Sequence, residues 1–505
     1  MAVVYSTGFE IHGDAETEPT GNNRPEPPPF TAGTVGANGG VNNDGGAYVK
    51  SGRFSCTLDS ETLMEVPYYS DSATREWWVS GWFKHKTVAT SDDIYTVWVA
   101  GNLATGEGRC VAMRFTTDPT TFAWKGVGLQ VYKMNEAAYG IPSGAGIGSV
   151  YTLTGTEPTG WNWIQLYLKD NADGESATLD SATSTTLTDT GAFAGDNWVG
   201  RLVMVGAAKY LTVTSHTDDV LTGSAGWVGG TPSAGSTYTI MSSWTVKLYV
   251  NDSLKVNQAA VMGVEKNLQK MCMGAYRAGT KAVCAWAVDD FIVNDSSGSA
   301  PYNGLLASTA GYNHQGYQPT NDLSDYDEWT ASTGAQAYAC VDDFNDNTDS
   351  ANDYVEYTGG VANKKQMFCF ADMAAGEAPV IVNLYSWSRG SGATAFTSPE
   401  NYLAITTGES LADAAWQWGF LGDPNQAWKQ LALTPGGAAW TESLFNDFKA
   451  GFKNTGTSSD YRAYMFGVEC LGVNLTRPTE NGASNDNAPC SLAAASAFVP
   501  RVMVF

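Results

Sequence analysis

Residues 244–250 have the sequence WTVKLYV, in which apolar side chains alternate with Thr245, Lys247 and Tyr249. Comparable runs rich in aromatic and β-branched residues are WWVSGWF at 77–83, WIQLYLK at 163–169 and VIVNLY at 380–385. A period of two, bounded by Gly, Asn, Asp and Thr, is typical of half-buried antiparallel strands. The sequence therefore predicts an all-β protein built from two antiparallel β-sandwich (jelly-roll) domains.

A helical period is clearest at residues 441–452. Leu444, Phe445 and Phe448 would share one face of that helix, and Thr441 precedes it as a candidate N-cap. The sequence predicts one short helix there.

Residues 174–241 differ in composition from the sequence on either side. They are rich in Thr, Ser and Gly and contain only short apolar runs, which suits four to six short strands. The flanking runs at 163–169 and 244–250 have the pattern of neighbouring strands in one sheet. We therefore expect 174–241 to be a small β-barrel inserted into a hairpin loop, where insertions are tolerated.

The stretch from residue 298 to 327 is polar, and the run SSGSAP at 296–301 opens it, which is the composition of a linker. It divides the chain into two predicted sandwiches with the barrel inserted in the first. The predicted boundaries are 1–173 together with 242–297 for the first jelly roll, 174–241 for the insert, 298–327 for the linker and 328–505 for the second sandwich.

The chain is acidic, with 28 Lys and Arg against 52 Asp and Glu in 505 residues and a formal net charge of -24. Nucleic-acid binding needs a basic surface, and anionic membranes attract basic segments. The sequence therefore predicts neither nucleic-acid binding nor membrane insertion. A homo-oligomer is the expected state, because oligomers of soluble proteins are mostly symmetric assemblies of one chain.

The first residues, Met1–Ser6, lack the basic start and apolar core of a signal peptide, so we expect a protein that is made in a cytoplasm and not exported by a classical signal. The eight cysteines form no C-x-x-C pair, which removes the common zinc and thioredoxin-like signatures. Cys272, Cys284, Cys340 and Cys369 lie in apolar, strand-like sequence and are expected to be buried free thiols.

Catalytic signatures are missing from the sequence. The four histidines form no H-E-x-x-H pair, and neither a nucleophile elbow nor a phosphate-binding Gly-Lys loop occurs. Asp289 and Asp290 are the nearest acidic pair on a strand, but adjacent strand residues face opposite sides of a sheet. We expect a structural role for this pair and no enzymatic activity.

Five tryptophans are candidates for stacking on sugars: Trp124, Trp227, Trp387, Trp416 and Trp418. Trp227 lies in a Gly-rich stretch, which favours its exposure. No cofactor is expected, although calcium would suit two acidic loops. The candidate calcium ligands are Asp170 and Asp173 in one loop, and Asp342 and Asp346 in the other.

Four segments of the first half resemble strands of the laminin-G/concanavalin-like jelly rolls found in tailed-bacteriophage structural proteins. They are Thr7-Gly8-Phe9-Glu10, residues 161–168 (WNWIQLYL), residues 244–252 (WTVKLYVND) and residues 289–293 (DDFIV). The 174–241 insert resembles small β-barrel modules of phage virion proteins through TTLT and a P-x-A-G-x-x-Y-x-I run.

The second half resembles phage tail-region proteins. Residues 328–334 and 338–343 match a W-T-x-S-x-G…Y-x-x-V-D-E segment, with Asp343 in place of the usual Glu, and residues 437–446 match a G-x-x-W-T segment that runs into a short helix. These motifs are structural and assign no catalytic residue.

The resemblance implies a non-catalytic structural component of a tailed-phage virion: a tail-associated protein, a fibre or a capsid decoration. Its partners would be other virion proteins, with host-surface glycans as a further expected contact. The alternative is a carbohydrate-binding protein or glycan depolymerase with a concanavalin-like fold. A depolymerase would need a solvent-facing carboxylate pair about 5–10 Å apart.

Overall fold

A computed structural model describes the chain over the following ranges: 3–9, 32–34, 40–42, 48–51, 55–58, 63–66, 76–86, 94–100, 109–117, 120, 123–133, 145–170, 175–195, 197–206, 209–240, 243–262, 270–276, 286–294, 304–333, 336–341, 354–390, 401–407, 417–420, 426–432, 434, 438–454 and 461–476. Every strand pairing within these ranges is antiparallel, and the predicted all-β class is confirmed. Within them, no helix combines the length and the apolar character needed to cross a bilayer.

The first sandwich consists of two sheets. Sheet I contains β1 (Val3–Thr7), β3 (Gly40–Asn42), β4 (Ser55–Leu58), β6 (Glu76–His85), β11 (Asn162–Asp170), β19 (Ser243–Val250), β20 (Ser253–Met262) and β22 (Trp286–Asn294). Its order is β20-β19-β11-β6-β22-β4-β3, with β1 also paired to β22.

Sheet II contains β2 (Ala32–Thr34), β5 (Leu63–Val66), β7 (Ile94–Ala100), β8 (Arg109–Thr117), β9 (Trp124–Lys133), β10 (Ala145–Thr152) and β21 (Lys270–Tyr276). Its order is β10-β9-β8-β7-β21-β5-β2.

The inward faces of sheets I and II meet in one core. Phe83, Phe115, Trp124 and Trp286 pack there edge-to-face or tilted, with the centroids of contacting rings 4.5 to 5.4 Å apart. In β19 the core side chains are Trp244, Val246, Leu248 and Val250, as the alternation predicts. Lys247 and Tyr249 consequently lie on the outer face of sheet I.

The insert forms a separate small barrel between β11 and β19, which pair directly with each other. Its strands are β12 (Glu175–Thr178), β13 (Ser181–Ala182), β14 (Thr186–Thr188), β15 (Leu202–Val205), β16 (Lys209–His216), β17 (Val220–Gly223) and β18 (Thr237–Ile240), in the order β12-β18-β15-β16-β17-β14-β13.

One continuous stretch, 175–182, closes this barrel. Its β12 part pairs with β18 and its β13 part pairs with β14, so the same stretch supplies both ends of the strand order. At the crossing point Leu179 N donates to Ser236 O (3.0 Å) and Asp180 N donates to Thr188 O (2.8 Å). Pairing through this stretch closes the described strands into a ring, and a separate apolar core that includes Trp198, Trp227 and Tyr238 fills the interior.

The second sandwich also has two sheets. Sheet III contains β23 (Tyr312–Tyr317), β25 (Thr330–Ala331), β26 (Val355–Tyr357), β28 (Pro379–Gly390), β31 (Gln426–Ala432) and β33 (Tyr461–Val473). Sheet IV contains β24 (Pro319–Asp327), β27 (Lys365–Phe370), β29 (Asn401–Thr407), β30 (Gln417–Phe420) and β32 (Phe448–Asn454). A core rich in phenylalanine lies between them.

The predicted linker at 298–327 is wrong over its second part. Residues 312–317 form β23, which pairs with β33, and residues 319–327 form β24, which pairs with β27. Both sheets of the second sandwich thus begin inside the stretch expected to be a linker. Its polar composition is compatible with strands because these side chains bond to neighbouring elements, as Asp322 does to Gln366.

The helix α1 spans only Glu442–Asn446, shorter than the predicted 441–452. The Thr441 side chain caps it by accepting a hydrogen bond from Leu444 N. Phe448, Ala450 and Phe452 then alternate into the core from β32. The period of two overrides the helical spacing because strand pairing with β27 and β29 buries all three.

The cysteine prediction fails at one position. Cys369 is disulfide-bonded, although its apolar surroundings in β27 favoured a free thiol. Cys340 is free and buried, as expected, and so are Cys56 and Cys470.

Candidate functional site: the buried junction between the sandwiches

Four ionisable side chains are fully buried where the two sandwiches meet. They are Asp289 and Asp290 on β22, His314 on β23 and Glu469 on β33, each 0% exposed. Burying such groups is costly unless hydrogen bonds satisfy them. The hydrogen-bond partners of each group therefore show which elements the junction connects.

Asp289 and Asp290 occupy an irregularity in β22, where the pairing with β6 shifts before Ile292. Asp290 has a left-handed backbone, with φ of 48°. Both carboxylates consequently reach the segment at residues 50–51: Asp289 Oδ2 accepts from Lys50 N (2.8 Å) and Ser51 N (3.1 Å), and Asp290 Oδ2 accepts from Ser51 Oγ (2.8 Å). The expectation that these neighbours face opposite sides is wrong because the bulge breaks the alternation.

Asp290 also binds the second sandwich. Its Oδ1 accepts from His314 N at 2.8 Å and lies 3.0 Å from His314 Nδ1. Gly8 packs so closely on this ring that an added Cβ would lie 2.3 Å from His314 Cβ. Glycine at position 8 is therefore a packing requirement of the junction.

Glu469 makes the reciprocal connection from the second sandwich to the first. Its Oε1 accepts from Gly8 N (2.9 Å) and from Thr7 Oγ1 (3.4 Å), and its Oε2 accepts from Tyr385 OH (3.0 Å). One buried carboxylate thus links β1 to β28 and β33. Charged acceptors make stronger hydrogen bonds than neutral ones, and removing one leaves buried donors without a partner.

Apolar contacts surround these polar groups. Leu306 is central, because its carbonyl accepts from Trp163 Nε1 (3.0 Å) and Gln165 Nε2 (2.7 Å) and its N–H donates to Gln165 Oε1 (2.9 Å). The apolar cluster at the junction comprises Trp163, Ile292, Leu306, Tyr312, Ile381 and Leu471. The junction combines this packing with directional bonds, which fixes the orientation of the two sandwiches.

Two of the predicted sugar-stacking tryptophans are buried. Trp124 is 1% exposed in the core of the first sandwich and Trp227 is 7% exposed in the barrel, where its Nε1 donates to Thr186 O. Neither ring offers a face to a ligand, because packing in the core occupies it. Trp416 and the side chains of Trp387 and Trp418 lie outside the described part of the structure.

The calcium candidates lie outside the side chains that the structure describes. Asp173, Asp342 and Asp346 lie outside the described ranges, and so does the side chain of Asp170 at the end of β11. Among the described residues, no group of three or more His, Cys, Asp or Glu side chains is arranged to hold a metal ion.

Sequence reasoning overlooked His314, Glu469 and Gly8. His314 lay in the supposed linker, and Glu469 is a single acidic residue in an apolar strand, FGVECLGV at 466–473. That isolated charge was a usable signal, since a carboxylate in an apolar strand needs a buried partner.

No protein-family model matches the chain, and no curated protein matches its sequence. Among solved structures, the alginate lyase Aly36B aligns at 10% identity with a TM-score of 0.27, covering 52% of this chain and 83% of the lyase. The binding domain of Paraclostridial Mosquitocidal Protein 1 aligns at 9% identity with a TM-score of 0.29, covering 73% and 75%.

A structure concerned with cell entry of botulinum neurotoxin type C, which depends on two ganglioside molecules, aligns at 10% identity with a TM-score of 0.26, covering 88% of each chain. Likenesses this distant support no inference about what this chain binds.

Proposed function

We propose that the chain is a non-catalytic structural component of a tailed-phage virion, as a tail-associated protein, a fibre or a capsid decoration. The observation that carries the proposal is the buried junction, in which Asp290 and Glu469 each bond across the two sandwiches. A particle component must hold its modules in a fixed arrangement while it contacts neighbouring subunits. The proposed partners are other virion proteins and further copies of this chain, and the proposed location is the virion.

The carboxylates described here favour a non-catalytic role. Burial raises the pKa of Asp322 to about 6, and the nearby Asp327 adds to the effect, which is a property expected of a general acid. However, Asp322 accepts hydrogen bonds from Ala337 N, Tyr338 N and Gln366 Nε2. These bonds hold the 3-10 turn at Ala337–Cys340 and occupy the carboxylate. Asp289 is similarly committed to Lys50 N and Ser51 N within the first sandwich, and Asp290 to His314 across the junction.

The alternative function is a carbohydrate-binding protein or glycan depolymerase. Burial of Trp124 and Trp227 removes the two sugar-stacking candidates that the structure describes. A glycan site would therefore have to use another surface, such as the outer face of sheet I.

The test is to locate the protein in gradient-purified particles by immunogold electron microscopy. We expect label on the capsid or tail. A variant with Glu469→Gln and Asp290→Ala, which weakens the junction, should enter particles less efficiently than the wild type at equal expression. The matched control, Val228→Ala, changes an exposed side chain of the barrel and should enter particles normally.

Protein that stays free in the lysate and is missing from particles would contradict the virion role. Normal incorporation of the junction variant would leave the location established but would show that a fixed orientation of the sandwiches is not what the particle requires.

A further inference from the structure

The outer face of sheet I is covered over only part of its length by the second sandwich in the described structure. Near the start of β11, Trp163 packs with Trp82 at 5.3 Å and contacts Leu306 and its neighbours in the junction cluster. Farther along β11, Tyr167 lies on the same face but is absent from that cluster. The second part of the face therefore lies between the junction and the strand ends that carry the barrel.

Aromatic side chains line this second part. The Tyr167 and Trp78 rings are 4.4 Å apart, and the Tyr249 ring is 5.9 Å from Trp78. Leu254 stands opposite Tyr249 in the register of β19 and β20 and is 47% exposed. We call the surface formed by Trp78, Tyr167, Tyr249, Leu254, Lys169 and Lys247 the aromatic strip.

The accessible part of the aromatic strip is small. Trp78 and Tyr167 are buried beneath their neighbours, Tyr249 is half-buried and Leu254 is exposed. A stable protein interface buries about 800 Å² on each partner, far more than two side chains supply. The size of the strip suits a small ligand that stacks on the ring of Tyr249.

The charge of the strip is opposite to that of the protein as a whole. Lys247 Nζ lies 4.9 Å from the centre of the Tyr167 ring, and Lys169 is exposed two residues farther along β11. The carboxylate of Glu76 is already committed, because it accepts a hydrogen bond from Tyr167 OH at 2.6 Å. Lys169 is therefore exposed and Lys247 half-buried, and the Glu76 carboxylate beside them already accepts a hydrogen bond, on a chain with net charge -24.

We propose that the aromatic strip binds a carboxylated saccharide. The C–H face of a pyranose ring stacks on an aromatic ring such as Tyr249, and an ammonium group recognises a sugar carboxylate. The saccharide would lie along β19, with its ring on Tyr249 and Leu254 and its carboxylate toward Lys247 and Lys169. This site goes beyond the structural role proposed above and does not depend on it.

The test is calorimetric titration of the full chain with trigalacturonate and, separately, with its methyl ester. We expect the acid to bind about tenfold more tightly than the ester, the value of one charge-assisted hydrogen bond. Lys247→Met should abolish this preference. Tyr249→Leu keeps the apolar packing on Trp78 but removes the flat ring, and it should weaken both ligands about tenfold.

The matched control is Lys255→Met. Lys255 belongs to the same hairpin but lies 4.0 Å over the ring of Tyr151, away from the strip, so its loss should leave both affinities unchanged. Thermal melts of each variant verify folding.

The proposal fails if the acid and its ester bind equally, if Tyr249→Leu binds like the wild type, or if no saturation occurs up to about 10 mM. It also fails if Tyr249→Leu instead dissociates an oligomer in sedimentation, because the strip would then be an interface between copies. None of these results would change where immunogold places the protein, so the two proposals fail separately.

Discussion

Replacing Asp290 with alanine should uncouple the two sandwiches. The substitution leaves two buried polar atoms of His314 without their partner: the backbone N–H, which now donates to Asp290 Oδ1 at 2.8 Å, and Nδ1, which lies 3.0 Å from the same oxygen. An unsatisfied buried polar atom costs about 1–3 kcal/mol, so the pair costs about 2–6 kcal/mol. Alanine at φ of 48° adds about 1 kcal/mol, since only Gly, Asn and Asp adopt this conformation readily. The total is about 3–7 kcal/mol.

The assay is differential scanning calorimetry combined with chemical denaturation. In the wild type, the junction should make the two sandwiches unfold together. In Asp290→Ala, we expect the unfolding to separate into two transitions, because the lost bonds join different domains and belong to the core of neither.

Two further variants serve as controls. Asp290→Asn keeps the side-chain shape and the left-handed backbone and retains one acceptor oxygen, so its effect should be clearly smaller. Ser51→Ala removes only the half-buried hydroxyl that bonds Asp290 within the first sandwich and should cost about 1 kcal/mol. If Asp290→Ala is as stable as Ser51→Ala and unfolds in a wild-type manner, the junction does not couple the sandwiches and this reasoning is refuted.

Three other predictions concern single sites. Burial lowers the pKa of His85 to about 4. The unfolded chain therefore binds a proton at His85 from about pH 6.5 downward, whereas the folded chain does not. The contribution of His85 to the free energy of unfolding should be complete above pH 6.5 and should fall by about 3 kcal/mol as the pH drops to 4. A His85→Phe variant whose stability has the same pH dependence as the wild type would contradict this. Trp227→Ala should destabilise the barrel by about 3–5 kcal/mol in chemical denaturation, whereas Val228→Ala should change its stability by less than about 0.5 kcal/mol. A Trp227→Ala barrel as stable as the wild type would place that ring outside the core. Cys369 should resist alkylation in denaturant until a reductant is added, whereas the free thiol of Cys340 should react without a reductant. Peptide mapping that finds Cys369 alkylated before reduction would exclude the disulfide.

Local patterns were sufficient to predict the strands at 77–83, 163–169, 244–250 and 380–385, which lie within β6, β11, β19 and β28. The alternation in WTVKLYV assigned Trp244 and Val246 to the core, since successive side chains of a strand face opposite sides. The pattern failed where a local irregularity breaks the period, as at Asp289 and Asp290, and where two periods compete, as at Phe448. In both cases pairing with a distant strand decided the outcome.

What the sequence by itself determined is which side chains share a face of a strand. Trp163 and Tyr167 stand on the same outer face of β11, and nothing in the sequence distinguishes them. Only the tertiary structure decided that Trp163 packs in the junction beside Leu306, whereas Tyr167 lies in a strip rimmed by lysines. The physical reason is that periodicity encodes the direction of a side chain, whereas the residues that cover it come from segments more than a hundred positions away, such as Leu306 and Leu471.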